Sequence, residues 1–194
     1  MKLLIGSLVI LFTLSLQAKE CTYEFDLDKS LVQGTGFKFT EKKGVTGSFT
    51  KFSLNKVEKK KSIKELLDGL VVTVDLMSLE TGDMLRDQNL REAFFSTVIG
   101  NAEAKVEVKK VTDKKIEAVL NLNGKSQPIS FDYKLVKDTI EAKGSFDALQ
   151  FALNDGIDGL KKRCGSLHTG TDGKSKTWTD FDISVKALTV KSCK

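Results

Sequence analysis

The sequence is poor in the residues around which most enzymes and metal proteins are built. Its 194 residues contain one histidine, one proline, one tryptophan and three cysteines. With a single imidazole and no Cys-x-x-Cys pair, the usual ligand sets for zinc are missing, and no metal is expected. The only grouping of hydrolase residue types is Ser166, His168 and Asp172, crowded into one Gly/Thr-rich stretch. It lacks the strand-turn-helix elbow that presents a nucleophile, so no catalytic residue is assigned and a binding protein is expected rather than an enzyme.

Arginine is scarce as well. Of 31 basic residues only Arg86, Arg91 and Arg163 are arginine. Nucleic-acid sites favour the planar guanidinium fork, so the scattered lysines read as a solvated surface and no nucleic-acid partner is expected. The net charge of +5 remains compatible with attraction to an anionic membrane or a pyrophosphate head group.

The one long apolar run, Leu3 to Leu14, falls short of the ~18 residues that a membrane-spanning helix needs. Preceded by Lys2 and followed by Ser15-Leu16-Gln17-Ala18, it reads as a secretory signal peptide over residues 1–18, cleaved after Ala18. Glu20 before Cys21 argues against lipidation, which needs a small residue there. Removal of the leader leaves 194 − 18 = 176 residues, enough for one domain over 19–194 with its own core. Export to the periplasm is the expectation, and disulfides persist in such a compartment.

What the chain does contain is alternation. Gly36–Thr40, Val72–Leu76, Val106–Val108, Ile116–Leu122, Ile129–Tyr133 and Phe181–Val185 each alternate apolar with polar residues, as strands with one buried face do. Turn residues separate them at Lys42-Lys43-Gly44, Asn101, Thr112–Lys115, Asn123-Gly124 and Lys137-Asp138. Pro128 is expected at the start of a strand, where its missing N–H does least harm. The predicted fold is all-β, an antiparallel barrel of about eight strands, because closure removes exposed edges.

Three segments carry helical signals instead. Ser62-Ile63-Lys64-Glu65 fits a capping box, with Gly69 able to end a short helix. Apolar positions 146, 149, 153, 157, 160 and 164 predict an amphipathic helix before the last strand, although its beginning could instead continue the strand Ile140-Ala142-Gly144. The third, "SLETGDMLRDQNLREAFF" over residues 78–95, would pair Asp87 with Arg91 and bury Leu90 with Phe94 on one face. Adjacent helical residues point ~100° apart. Phe94 and Phe95 are therefore expected to divide, one ring on the rim and the other in the lumen of a barrel whose mouth this segment closes.

These residues resemble the YceI-like, polyisoprenoid-binding family of exported bacterial proteins. The likeness begins at Tyr23-Glu-Phe-Asp-Leu-Asp and runs through Val45-Thr-Gly-Ser-Phe-Thr-Lys-Phe. It is most specific at Val72-Thr-Val-Asp-Leu-Met-Ser-Leu-Glu-Thr-Gly, Arg86-Asp87, Leu90-Arg91 and Phe94-Phe95, and returns at Leu120-Asn-Leu-Asn-Gly-Lys-Ser-Gln-Pro-Ile. The resemblance implies a lipocalin-like barrel carrying an isoprenoid lipid, such as a quinone or polyprenyl phosphate, in its lumen. No other cofactor is implied.

In such a barrel Phe37, Phe39, Phe49 and Phe52 would line the lumen with Val72, Val74 and Leu76. Leu120, Leu122, Phe131, Phe146 and Ile183 would complete it. At the mouth Leu90, Phe94 and Phe95 would meet the lipid, and Arg86 with Asp87 would form a polar collar for its head group. Twelve phenylalanines against two tyrosines suit an apolar lining, and burying a five-carbon unit is worth roughly 3–4 kcal/mol gross at ~0.8 kcal/mol per methylene. Transient membrane contact and a homodimer are further expectations. The alternative readings are an exported hydrolase and a scaffold acting through the barrel exterior, the latter marked only by the Lys-rich segment from Lys56 to Lys64.

First and last strands are neighbours in a closed antiparallel barrel, which predicts a Cys21–Cys193 disulfide. The alternative is Cys164–Cys193, if the helix before Cys164 folds back over that end. Trp178, just ahead of the strand at Phe181, is expected to be partly buried on the rim.

Overall fold

A computed structural model describes residues 19–56 and 58–194. The signal-peptide expectation lies outside the described residues. Strands β1 (Cys21–Lys38), β2 (Lys43–Phe49) and β3 (Phe52–Leu54) lead into the short helix α1 (Ile63–Leu67). Then come β4 (Val71–Asp75), β5 (Leu79–Glu80) and helix α2 (Met84–Ala93). A meander follows of β6 (Glu103–Val111), β7 (Lys115–Leu122), β8 (Lys125–Val136) and β9 (Thr139–Asp147). Helix α3 (Asn154–Cys164) and β10 (Thr177–Cys193) end the chain.

All neighbouring strands are antiparallel, in the order β3-β4-β6-β7-β8-β9-β10-β1-β2-β5. Ten strands replace the expected eight for a simple reason. β2 and β3 are one bent strand interrupted at Thr50-Lys51, and β4 and β5 are another interrupted by a 3-10 turn at Leu76–Ser78. The two bent strands pair as β2 with β5 and β3 with β4, so the ring closes through the bend. There Ser78 accepts from the Thr50 and Lys51 amides, and Lys51 O accepts from the Asp75 amide. Closed eight-membered pairing leaves no long free edge.

Local chemistry explains the elements. The Asn123-Gly124 turn has φ of 51° and 69°, a left-handed pair that matches the twist of the β7–β8 hairpin. Ser62 accepts from the Glu65 amide while Glu65 accepts back from the Lys61 amide, which starts α1. Pro128 sits three residues inside β8 rather than at its start. That half of β8 pairs only with β7, because pairing with β9 begins at Asp132, so the missing N–H is tolerated.

The helix expected from position 146 begins later, and the start of that stretch instead continues the strand from Ile140, the alternative reading. β9 runs through Phe146 to Asp147, a 3-10 turn follows at Ala148–Phe151, and α3 starts only at Asn154. Strand pairing of Phe146 with Phe181 outweighs the helical spacing. The predicted strand Gly36–Thr40 also ends early, at Lys38, because Phe39 takes a left-handed φ of 63° and begins a turn.

Cys21 faces Cys193 across β1 and β10, and the two form a disulfide. Cys164 is a buried free thiol, so the alternative pairing is not made. The most deeply buried large side chains are Phe151, Leu153 and Ile157, from α3 and the segment before it, with Leu120 of β7 and Ile140 of β9.

Candidate functional site

The barrel encloses a cavity of about 490 Å³, within the ~300–1,000 Å³ usual for small-molecule sites. Alternation along the strands builds its wall. β4 contributes Val72 and Val74, β6 Ala104, Val106 and Val108, and β7 Ile116, Leu120 and Leu122. From the other side come Phe131, Ile140, Ala142 and Phe146, then Phe181, Ile183, Val185 and Ala187 of β10. Space exists partly because β1 and β2 place glycine where side chains would enter: Gly34, Gly36 and Gly47 all line it.

Fifteen of the seventeen residues expected at the lumen and mouth border this cavity: Phe37, Phe49, Phe52, Val72, Val74, Leu76, Arg86, Leu90, Phe94, Phe95, Leu120, Leu122, Phe131, Phe146 and Ile183. Phe39 does not. Its turn conformation carries it off the end of β1, where its carbonyl accepts from Trp178 Nε1 at 2.7 Å and Lys38 Nζ sits over its ring. Asp87 does not either. Its carboxylate turns back to accept from the Thr81 amide and hydroxyl, fixing the loop before α2.

Two pairings expected at the mouth are also replaced. Arg91 donates to the carbonyls of Met77 and Leu79 instead of reaching Asp87. Arg86 pairs at 3.1 Å with Asp83, the N-cap of α2, whose carboxyl is held below its usual range chiefly by the Arg86 amide. Nor do Phe94 and Phe95 divide between rim and lumen. The helix ends at Ala93, so helical geometry no longer separates them, and their rings meet edge to face at 5.3 Å. Phe94 continues onto Phe181 at 5.4 Å and Phe95 onto Phe49 at 6.4 Å.

Sequence reasoning missed the polar members of the lining. Lys38, Asn89, His168 and Thr177 all border the cavity, together with Cys164 and Trp178. His168 Nδ1 shares a 2.7 Å hydrogen bond with Thr177 Oγ1. Burial, helped by the nearby Lys38 charge, pushes the imidazole pKa down and favours the neutral ring. Burial pushes the Cys164 thiol up, against the opposing pull of Arg163 and Lys38. The supposed hydrolase group does not assemble, since Asp172 accepts from Thr40 Oγ1 and the Lys174 amide rather than from His168.

Helix α2 exposes apolar residues and buries polar ones. Met84 and Leu85 are 89% and 62% exposed, whereas Asp87 and Asn89 are each 7% exposed. Asp87 is explained by its contacts with Thr81, and Asn89 Oδ1 accepts from Arg163 Nε at 2.6 Å. Leu167, which borders the cavity as well, is also exposed, and its carbonyl accepts from Lys38 Nζ. Trp178 is half-buried beside them, as expected, though as the second residue of β10 rather than ahead of it.

A family model for the YceI-like domain matches residues 23–187. Among solved structures, a polyisoprenoid-binding domain from Saccharophagus degradans, implicated in plant cell wall breakdown, has a TM-score of 0.59 at 18% identity, covering 86% of this chain and 97% of that one. Burkholderia cenocepacia BcnA has a TM-score of 0.56 at 15% identity, covering 86% and 99%. At these identities the likeness speaks for the fold. No curated protein sequence matches the chain.

Proposed function

The chain belongs to the YceI-like family, and from that premise we propose that it holds the hydrocarbon chain of an isoprenoid lipid inside its barrel. The observation that carries this reading is the cavity itself, about 490 Å³ and bordered almost entirely by aliphatic and aromatic side chains. Water in such a space has few polar partners. An isoprenoid tail exchanges that water for dispersion contacts at ~0.8 kcal/mol per buried methylene, and a few units offset the cost of ordering the ligand. The Saccharophagus degradans domain, named for polyisoprenoid binding, supports the choice of lipid. Selectivity for chain length then follows from the depth of the lumen.

The polar groups that border the cavity include Lys38, Arg86, Asn89 and His168, and the head group sits among them. A quinone and a polyprenyl phosphate are the two head groups of interest. Exposed Leu85 and Leu167 border the same cavity and suit brief contact with the membrane from which the lipid is drawn. Work in the periplasm, after export through residues 1–18, agrees with the Cys21–Cys193 disulfide. The protein acts by carrying or shielding its lipid and performs no chemistry on it.

Mass spectrometry of organic extracts from the freshly purified protein tests the proposal. A prenyl lipid in stoichiometric amount is the expected result. Extracts that contain only phospholipids at trace levels would overturn it.

A further inference from the structure

Buried polar side chains in an apolar wall need a reason, and Asn89 has only half of one. Its Oδ1 accepts from Arg163 Nε at 2.6 Å. A guanidinium can only donate, so this bond fixes the amide orientation: oxygen toward Arg163, Nδ2 away from it. Among the described residues Nδ2 has no hydrogen-bond partner, although Asn89 is only 7% exposed and borders the cavity. Nδ2 is not fully enclosed, since every fully buried side-chain polar atom among the described residues has a partner, and the residue that carries it borders the cavity.

Arg163 does more than orient the amide. Donation to Oδ1 polarises the group and strengthens the N–H bonds as donors. The guanidinium charge is itself met by Glu92 at 2.7 Å, so the device presents a donor without a net positive charge. Gly156 and Gly159 let α3 lie close against Phe94 and the Ala93 backbone, which brings Arg163 within reach of α2.

We propose that Asn89, oriented by Arg163, is a specificity residue that donates from Nδ2 to an uncharged oxygen acceptor, a ketone or quinone-type carbonyl, on the lipid held in the barrel. This assignment rests on the reading that a prenyl lipid occupies the lumen. It goes beyond that reading by selecting a neutral carbonyl over a hydrocarbon end or a phosphate. A phosphate would draw its binding from Lys38 and Arg86 instead, and would gain little from a neutral amide.

The test uses three chain-matched probes on the delipidated full-length mature protein: farnesylacetone, farnesene and farnesyl diphosphate. Trp178, the single tryptophan, borders the cavity and reports binding by its fluorescence. The wild type is expected to prefer the ketone to the hydrocarbon by about three- to tenfold, the usual net value of one hydrogen bond. Asn89→Leu should erase that preference, so that the ketone and the hydrocarbon bind with the same affinity. Asn89→Asp keeps an acceptor for Arg163 and loses the donor, so it should erase the preference even if the leucine variant folds poorly.

Equal binding of ketone and hydrocarbon by the wild type would overturn the assignment. So would an equal loss of both in the variants, which marks a structural role. Tightest binding of the diphosphate, unaffected by Asn89→Leu, would overturn it in favour of an anionic head group. If the wild type binds none of the three, the lumen reading itself fails and the role of Asn89 falls with it.

Discussion

Gly34 stands directly across from Gly47 in the pairing of β1 with β2, and both positions border the cavity. Two adjacent missing side chains hollow one wall of the barrel. Filling them should have different costs. A Cβ at Gly34 would lie 3.3 Å from Phe49 Cε2, whereas one at Gly47 would lie 2.7 Å from Leu79 Cδ1 and 2.9 Å from Thr81 Cγ2. Gly34→Val should therefore lose less stability than Gly47→Val, and should retain less lipid than the wild type. Gly47→Val should lose about 1–3 kcal/mol from overpacking. Lipid content and melting temperature of the two variants check the contrast.

Phe94 and Phe95 are both buried and both border the cavity, so neither is a mere rim contact. Phe94→Ala and Phe95→Ala should each cost about 3–5 kcal/mol in denaturant unfolding and each lower lipid retention. A variant that keeps full stability while losing lipid would restore the division expected from helical geometry.

Alternation made the strands legible, and with them the barrel, the Cys21–Cys193 bond and most of the apolar wall. Single conformational choices were not legible. Nothing local to Phe39 announces its left-handed φ, and nothing in Asp87 reveals that Thr81 will claim its carboxylate before Arg91 can. The Asn89–Arg163 contact joins positions 74 residues apart, which no periodicity reports. One signal was available and unused: Gly34 and Gly36, two apart on a strand, already place bare backbone on one face.

The redox state gives a sharp chemical expectation. Unreduced peptide mapping should recover Cys21 linked to Cys193, with Cys164 alone. Burial holds that thiol up and shields it, so iodoacetamide should label it only in denaturant. The bridge spans 172 residues. Its loss, as Cys21→Ser with Cys193→Ser, should cost up to about 5 kcal/mol by the chain-entropy account.

His168 makes stability depend on pH in a definite sense. Its folded pKa lies below the ordinary value, so the unfolded chain takes up the proton first. The contribution is complete above the ordinary histidine pKa of ~6.5 and is lost as pH falls below it. The melting temperature of the wild type should drop between pH 7.5 and 5.5 more than that of His168→Gln. By NMR the imidazole should titrate below the free value, and a raised midpoint would refute this account.

The account as a whole rests on where the lipid lies. A benzophenone-tagged prenyl probe, loaded into the delipidated protein and photolysed, locates it by the peptides it labels. Adducts should fall on inward residues such as Val74, Leu120 and Phe181, which border the cavity. Adducts confined to exposed positions away from the cavity, such as Leu135, Val136 and Val190, would mean that the lipid only touches the outside and would contradict a ligand-filled barrel.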